Sequence, residues 1–96
     1  MDPYIHYVYI VASRSRVLYI GSTTEIEIRM KQHREGRFGG FTKRYRCIRL
    51  VYFERFMNSA NAVARERQLK GWTRAKKIAL IEAINPAWED LSADWT

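Results

Sequence analysis

The sequence predicts an α+β domain in which a three-stranded antiparallel sheet is flanked by helices, in the order ββαβαα. Two runs rich in tyrosine and β-branched residues, 4–12 and 17–21, flank a short polar connector, which favours an antiparallel hairpin. A third run of similar character, residues 48–53, predicts the third strand. One segment with helical spacing precedes this strand and two follow it. The chain of 96 residues is long enough for one modest hydrophobic core.

The first predicted helix ends near Arg34, where Gly36 supplies a stop signal. Its first turn contains two glutamates, which the helix dipole favours. The segment that follows, residues 37–46, contains a glycine pair and several basic residues, so it is predicted to be a loop. The candidate N-caps of this helix are Ser22, Thr23 and Thr24.

Polar caps and glycine bound the other two predicted helices. Asn58 or Ser59 caps the second helix, which ends at Gly71. Thr73 caps the third helix, which runs through Ile84. These signals place both helices after the third strand, where they can pack against the sheet.

Composition favours a soluble globular protein, since 47% of the residues are hydrophobic and 28% are charged. We expect a single domain over residues 1–96, with its core in residues 4–84 and a tail, residues 85–96, that packs back through its tryptophans. Cys47 alone cannot form an internal disulfide or a cysteine-rich zinc site. No signal-peptide pattern is visible and no apolar run approaches the ~20 residues that span a bilayer. A cytoplasmic protein without membrane association is therefore expected.

Basic residues concentrate in two blocks of the chain. Residues 14–49 hold ten lysines and arginines against three acids, and residues 65–77 hold six against Glu66 alone. Residues 82–96 are acidic. A fold that merges the two basic blocks on one face would present a surface for a polyanion. The net charge of +7 could equally serve solubility, and charge alone leaves both interpretations open.

Tyrosines on the first two strands are candidate catalytic residues. Tyr7 and Tyr9 share one face of their strand, because side chains alternate with a period of two, and Tyr19 lies on the return strand. A phenol held near a phosphate can orient or deprotonate water, although its ordinary pKa of about 10 must then be lowered. Burial of the ring in the core is the alternative role.

An arginine, a histidine and a glutamate complete a possible set for phosphodiester cleavage. Arg29 and His33 are four residues apart and so share a helical face. A guanidinium matches phosphate oxygens, whereas the histidine could instead be a hydrogen-bonded residue at the core edge. Glu66 shares a helical row with apolar residues. It could pair with Lys70 in a weak salt bridge or serve as a hard oxygen ligand for one Mg²⁺.

Basic and aromatic residues interleave in two segments that could bind a nucleic-acid backbone. In the first segment, Phe38 and Phe41 could stack on bases or cap the core. The second segment begins at the end of the second predicted helix. A solvated surface would explain the same pattern. The candidate nucleic-acid-binding residues are Lys43, Arg44, Arg46, Lys70, Arg74 and Lys76.

The order of these features resembles the GIY-YIG nuclease superfamily, and within it the small stand-alone bacterial members of the URI type. Residues 7–9, Tyr-Val-Tyr, stand where that family has Gly-Ile-Tyr, and residues 19–21, Tyr-Ile-Gly, match its second motif. Arg29 and His33 fall where the family's helix carries an arginine and a histidine. The resemblance covers about residues 4–84.

The resemblance implies a role for each of these side chains. Tyr9 and Tyr19 would position or activate the attacking water, and Arg29 would hold the scissile phosphate. His33 would assist proton transfer or orient a tyrosine. Glu66 would bind the divalent ion, Mg²⁺ or Mn²⁺, as the sole protein ligand.

Two positions depart from the family pattern. Tyr7 replaces the first glycine of the motif, and Ser22 stands where some repair nucleases of the family have lysine. No separate DNA-targeting domain is visible, so we expect a metal-dependent DNA endonuclease with little sequence specificity or with a protein partner that targets it. RNA as substrate, a role in DNA repair, and a monomer or weak dimer stay open. The alternatives are a nucleic-acid-binding module of the same fold without turnover, and a structural protein.

Overall fold

The computed structural model describes residues 2–95 and has the predicted three-stranded antiparallel sheet. Its strand order is β2-β1-β3, so β1 is central and pairs antiparallel with both neighbours. The α+β architecture is therefore confirmed. The strands are β1 His6–Ala12, β2 Leu18–Thr23 and β3 Arg49–Phe56, and the helices are α1 Ile26–Arg34, α2 Gly40–Tyr45, α3 Ser59–Lys70 and α4 Arg74–Ile84.

Alternation along β1 divides the core into two layers. Tyr9 and Val11 point to one face of the sheet, where they pack with Met30 of α1. Val8 and Ile10 point to the other face. Helices α3 and α4 cover that second face with a row of apolar side chains: Ala62, Leu69, Ile78 and Ile81. The sheet is thus enclosed by α1 on one side and by α3 and α4 on the other.

One element differs from the prediction, because the segment 37–46 contains the short helix α2. Gly39, with φ of 69°, turns the chain into this helix, and Thr42 is buried and donates a hydrogen bond to the carbonyl of Phe38. Arg46 ends it in the left-handed region, with φ of 53°. The glycine pair and the basic residues obscured this helix, since it is stabilised by packing and not by a strong local pattern.

The start of α1 also differs from the prediction. Ser22 and Thr23 belong to β2, and the N-cap position is occupied by Glu25, whose side chain makes no capping hydrogen bond. The hydroxyl of Thr23 accepts a hydrogen bond from the backbone N–H of Glu25 at 3.0 Å. The polar residues therefore extend the strand and shape the turn before the helix.

The predicted caps of the last two helices are confirmed. The side chain of Asn58 accepts a hydrogen bond from the N–H of Asn61 at 2.8 Å, and that of Thr73 accepts one from Lys76 at 3.2 Å. Helix α3 ends at Lys70, and Gly71 is its C-cap, at the position where the sequence predicts the end.

The segment after α4 packs onto the core. Trp88 is only 2% exposed, and the Asn85 side chain donates hydrogen bonds to the carbonyls of Val51 and Glu89. The N–H of Leu91 donates to the carbonyl of Leu50 at 2.7 Å, close to the start of β3. Among the strands of residues 2–95, the outer edge of β2 has no partner strand. Within the same residues, no helix is both long and apolar enough to cross a bilayer.

Candidate active site

Tyr9 and Gly21 face each other across the β1–β2 ladder, and their contact places the first phenol. Tyr9 is fully buried, with its ring above the Cα of Gly21. A Cβ atom at position 21 would lie 2.6 Å from the Tyr9 hydroxyl oxygen and 2.8 Å from Cζ, closer than real side chains approach. Position 21 is therefore glycine because the phenol occupies the space of a side chain.

His33 holds the hydroxyl of Tyr9 from the other side. The Tyr9 Oη and His33 Nε2 atoms are 3.0 Å apart, and His33 is 2% exposed. Burial raises the pKa of Tyr9 to about 12. Burial, together with the nearby charge of Arg29, lowers the pKa of His33 to about 4. Both side chains are therefore neutral near pH 7.

Arg29 adds a positive charge to this pair. It lies one helical turn before His33, and its guanidinium carbon is 4.1 Å from the centre of the Phe38 ring. Burial raises the pKa of Tyr9, and the nearby guanidinium of Arg29 counteracts part of that rise. The stacking on Phe38 restrains the plane of the guanidinium while the cation stays beside the phenol.

Tyr19 is the phenol that solvent can reach. Its ring centre is 6.5 Å from that of Tyr9 and 5.9 Å from that of His33, so it belongs to the same aromatic cluster. It is only partly buried and lines a cavity of about 350 Å³ together with Phe41 and Lys70. A water molecule or a phosphate in this cavity would meet Tyr19 before Tyr9.

Glu66 reaches the rim of this cluster from helix α3, which packs on the opposite face of the sheet. Its Oε1 atom accepts a hydrogen bond from the Ser22 hydroxyl at 2.6 Å, and its Oε2 atom lies 2.8 Å from Lys70 Nζ. Its side chain is 20% exposed. Burial raises the pKa of this carboxyl, but hydrogen bonds from Lys70 and Ser22 outweigh it, so the pKa lies below its usual range. Glu66 is therefore ionised, and it lies next to Ser22, the residue after Gly21.

Four of the five predicted catalytic side chains lie in one cluster: Tyr9, Tyr19, Arg29 and His33. Glu66 has no hydrogen bond to either phenol. Burial is the main cause of the raised pKa of Tyr9, and the nearby negative charge of Glu66 adds a small further rise. Tyr7 stands apart from the cluster and packs edge-on against Phe53, with ring centres 6.1 Å apart.

The predicted nucleic-acid-binding residues separate into three groups. Lys43, Arg44 and Arg46 line a cavity of about 350 Å³ beside the end of α1. Lys70 pairs with Glu66, as described above. The guanidinium of Arg74 donates to the carbonyl of Arg16 at 2.8 Å, and Lys76 turns to the ring of Trp72, 4.8 Å from its centre. Lys70, Arg74 and Lys76 are therefore already engaged by contacts within the protein.

Two residues of the site make contacts that differ from those the sequence predicts. Ser22 was interpreted as a helix cap and as a departure from the family pattern, yet its hydroxyl holds Glu66. Phe38 was interpreted as a base-stacking or core-capping residue, yet its ring supports Arg29 and lies against His33, with ring centres 4.9 Å apart. No local pattern could reveal the first contact, because its partners are 44 residues apart.

The sequence matches the family model described as the GIY-YIG catalytic domain over residues 5–79. The UPF0213 protein of Staphylococcus haemolyticus is 40% identical to it over 77 residues, 80% of this chain and 94% of that protein. The UPF0213 protein of Haloquadratum walsbyi is also 40% identical, over 80% of this chain and 86% of its own. The solution NMR structure of the UPF0213 protein of Bacillus halodurans aligns with a TM-score of 0.59 and 29% identity, covering 96% of this chain and 99% of that one.

Proposed function

The chain belongs to the GIY-YIG family, whose catalytic domain is of the nuclease type, and from that premise we propose a divalent-metal-dependent endonuclease that hydrolyses DNA phosphodiester bonds. One observation carries the proposal. Two phenols, a guanidinium and an imidazole lie together on one face of the sheet, with an ionised carboxylate at their rim. This set can position water, bind a phosphate and hold a cation.

The two phenols would have different tasks. Tyr9 is fully buried and its pKa is about 12, so it is a poor base and suits a positioning role beneath the site. The partly exposed Tyr19 would contact the attacking water. Neutral His33 would keep Tyr9 in place through the Nε2 contact, and its pKa of about 4 makes it a weak proton acceptor. This division accounts for both tyrosines being present.

Arg29 would bind the scissile phosphate. Its guanidinium can donate two parallel hydrogen bonds to phosphate oxygens, and it stabilises the additional negative charge that develops in the transition state. The Phe38 ring beneath it restrains its orientation before substrate arrives. Donors held in this way need little reorganisation during the reaction.

Glu66 would hold the divalent ion, and its chemistry fits Mg²⁺ or Mn²⁺. It is an ionised hard-oxygen ligand with a hydroxyl beside it, and Mg²⁺ is commonly bound by one or two carboxylates while keeping several waters. Lys70, which occupies the second oxygen, has a half-exposed side chain and can swing away. Across residues 2–95 no three metal-type side chains cluster, so the ion would keep most of its water ligands. When bound, the ion would neutralise charge on the phosphate.

The proposed site would bind the phosphate backbone and would not contact the bases. Guanidinium, phenol and carboxylate-bound cation all interact with groups that every nucleotide shares. We therefore propose little intrinsic sequence specificity, and cleavage of RNA remains an outcome to be measured. The basic residues around α2, Lys43, Arg44 and Arg46, would contribute sequence-independent affinity.

A second candidate function is a nucleic-acid-binding module of the same fold without turnover. The observation in its favour is that Lys70 and Ser22 already satisfy both oxygens of Glu66. If the Lys70 pair does not open, no cation can bind and the remaining residues only hold a phosphate.

A cleavage assay tests the proposal and separates it from this alternative. Purified protein is incubated with plasmid and with single-stranded DNA in Mg²⁺, Mn²⁺ or EDTA. We expect metal-dependent nicking that falls roughly 10²–10³-fold in Glu66→Ala, Arg29→Gln and Tyr19→Phe, because each removes a group acting at the reacting phosphate. Tyr4→Phe, which changes an exposed tyrosine outside the cluster, should cleave normally. Equal nicking by all variants would indicate a contaminating nuclease, and DNA binding without nicking would establish the alternative.

A further inference from the structure

A second positively charged cavity lies beside the candidate active site, at the turn between β1 and β2. It measures about 440 Å³ and is lined by Ser15, Arg16, Val17, Leu18, Arg74 and Lys77. Leu18 and Lys77 also line the cavity that contains Tyr19 and Lys70. The two cavities are therefore adjacent and form one trough along β2.

The trough follows the outer edge of β2, which has no partner strand among residues 2–95. Arg16, Arg74 and Lys77 border it, together with Lys70, whose charge is offset by its pair with Glu66. None of the residues that line either cavity is acidic. The first turn of α4, at the same end, also contains no acid, so its dipole adds to the positive potential.

Contacts within the protein hold the two arginines in place. The Arg16 guanidinium carbon lies 4.4 Å from the ring centre of Trp88, and the Arg74 guanidinium donates to the backbone carbonyl of Arg16 at 2.8 Å. Arg16 has a φ of 67°, a region that residues other than glycine seldom adopt. Two further hydrogen bonds, between Ser13 and Val17 and between Arg16 and Ser13, fix the turn. The cations are thus ordered before any ligand arrives.

Lys77 joins the two cavities. It is half-buried, and within residues 2–95 its ammonium has no hydrogen-bond or ion-pair partner. A cation without a partner between two positively charged cavities favours occupation by an anion. Arg16 lies in the β1–β2 turn, two residues before β2 begins, and Tyr19 is the second residue of that strand.

We propose that Arg16, Arg74 and Lys77 form a second phosphate-binding site, which holds the backbone of the substrate strand a short distance from the scissile phosphate. This inference rests on the proposed nuclease function, because it assigns the path of the same DNA strand. The strand would leave Tyr19 along the open edge of β2 and end against the β1–β2 turn. The site would act through binding and positioning, since none of its residues contacts the reacting atoms.

Equilibrium binding without metal tests this site independently of cleavage. The affinity of a fluorescent single-stranded oligonucleotide is measured in EDTA across a range of salt concentrations. Lys77→Gln should bind about tenfold more weakly, the loss expected for one charged hydrogen bond. The slope of log affinity against log salt concentration should become shallower by about 0.7, the change expected for one lost phosphate contact. Arg14→Gln removes a cation from the same turn, but not from the cavity, and is the matched control.

Replacing single phosphates with neutral methylphosphonate linkages locates the contact. One linkage, away from the cut position, should weaken binding to the unmodified protein about tenfold and leave binding to Lys77→Gln unchanged. Arg74→Gln should behave similarly, and because it also loses the bond to Arg16, its circular dichroism spectrum is compared with that of Arg74→Lys. Equal losses of affinity in Arg14→Gln and Lys77→Gln would overturn the proposal. So would a loss from every neutral linkage that simply adds to the loss from Lys77→Gln. Failure of the nuclease proposal would instead appear as normal binding without cleavage.

Discussion

Replacing Gly21 with alanine tests the contact around which the candidate site is built. The added Cβ would lie 2.6 Å from the Tyr9 hydroxyl oxygen, 2.8 Å from Tyr9 Cζ and 3.0 Å from Tyr19 Cε1. The ring of Tyr9 has little freedom to move away, because it is fully buried and its hydroxyl contacts His33. Either the ring or the β1–β2 pairing must therefore shift.

The expected loss of stability follows from overpacking. Inserting a methyl group into a packed site costs about 1–3 kcal/mol. In a domain of this size each kilocalorie lowers the melting temperature by about 4–8 °C. Gly21 does not adopt a positive φ, so its backbone conformation suits alanine. Without the clash, alanine would instead stabilise the protein by about 0.4–1 kcal/mol through the unfolded state. A loss of stability in Gly21→Ala would therefore indicate the clash, and a gain would indicate its absence.

Urea unfolding followed by circular dichroism measures this difference. Gly40→Ala is the matched control, because a Cβ atom there has no heavy atom within 4 Å, and it lies in the first turn of α2. We expect Gly40→Ala to be neutral or slightly stabilising. Adding Tyr9→Phe to Gly21→Ala removes the Tyr9 hydroxyl oxygen, the atom nearest the new Cβ. The double variant should therefore regain part of the lost stability. A Gly21→Ala protein as stable as the unmodified one would refute the packing argument, and with it the reason for glycine in the second motif.

Three further predictions concern stability. His33 has a folded pKa of about 4 against 6.5 when unfolded, so the unfolded chain binds more protons between these values. Stability should fall by up to about 3 kcal/mol as pH drops from 6.5 to 4, and urea unfolding of His33→Gln should lack this component. Arg65→Met should cost about 1–3 kcal/mol, because Glu54 loses its ion pair at 2.9 Å in a largely buried position. Asn85→Ala should cost about 2–4 kcal/mol, since the carbonyl of Val51 loses a buried donor, and thermal unfolding measures it.

Each of these predictions has an outcome that contradicts it. Parallel pH profiles for the unmodified protein and His33→Gln would mean that the histidine is not buried in its neutral form. Arg67→Met, which changes an exposed arginine of the same helix, should stay within about 0.5 kcal/mol, and an equal loss there would remove any special role for Arg65. Unchanged unfolding of Asn85→Ala would show that the tail is not part of the cooperative core.

Local signals in the sequence were sufficient for the sheet and for most helix ends. The tyrosine-rich and β-branched runs identified the strands, and Asn58 and Thr73 marked helix starts because capping is a contact within one turn. Helix α2 was not predicted, because its stability depends on Thr42 being buried against the fold. The same distinction explains why Ser22 was assigned to a helix cap.

In the candidate site, too, local spacing was predictable and contacts that depend on the tertiary fold were not. The helical spacing of Arg29 and His33 predicted that they share a face, and the motif order indicated that this face meets Tyr9 and Tyr19. The contact of Glu66 with β2 could not be predicted, since it depends on how helix α3 crosses the sheet. The pKa values of Tyr9 and His33 were equally inaccessible, because burial in the folded protein is their main cause.

The two edges of the sheet differ in what lies beside them. At β3, the chain's own tail bonds to Leu50, which blocks part of the ladder on that side. At β2 the backbone is open, and an unprotected strand edge is a site where a second copy can add and start aggregation. The surrounding lysines and arginines repel another molecule bearing the same charges. The cations that we assign to a nucleic-acid strand would thereby also keep the protein dispersed when no strand is bound.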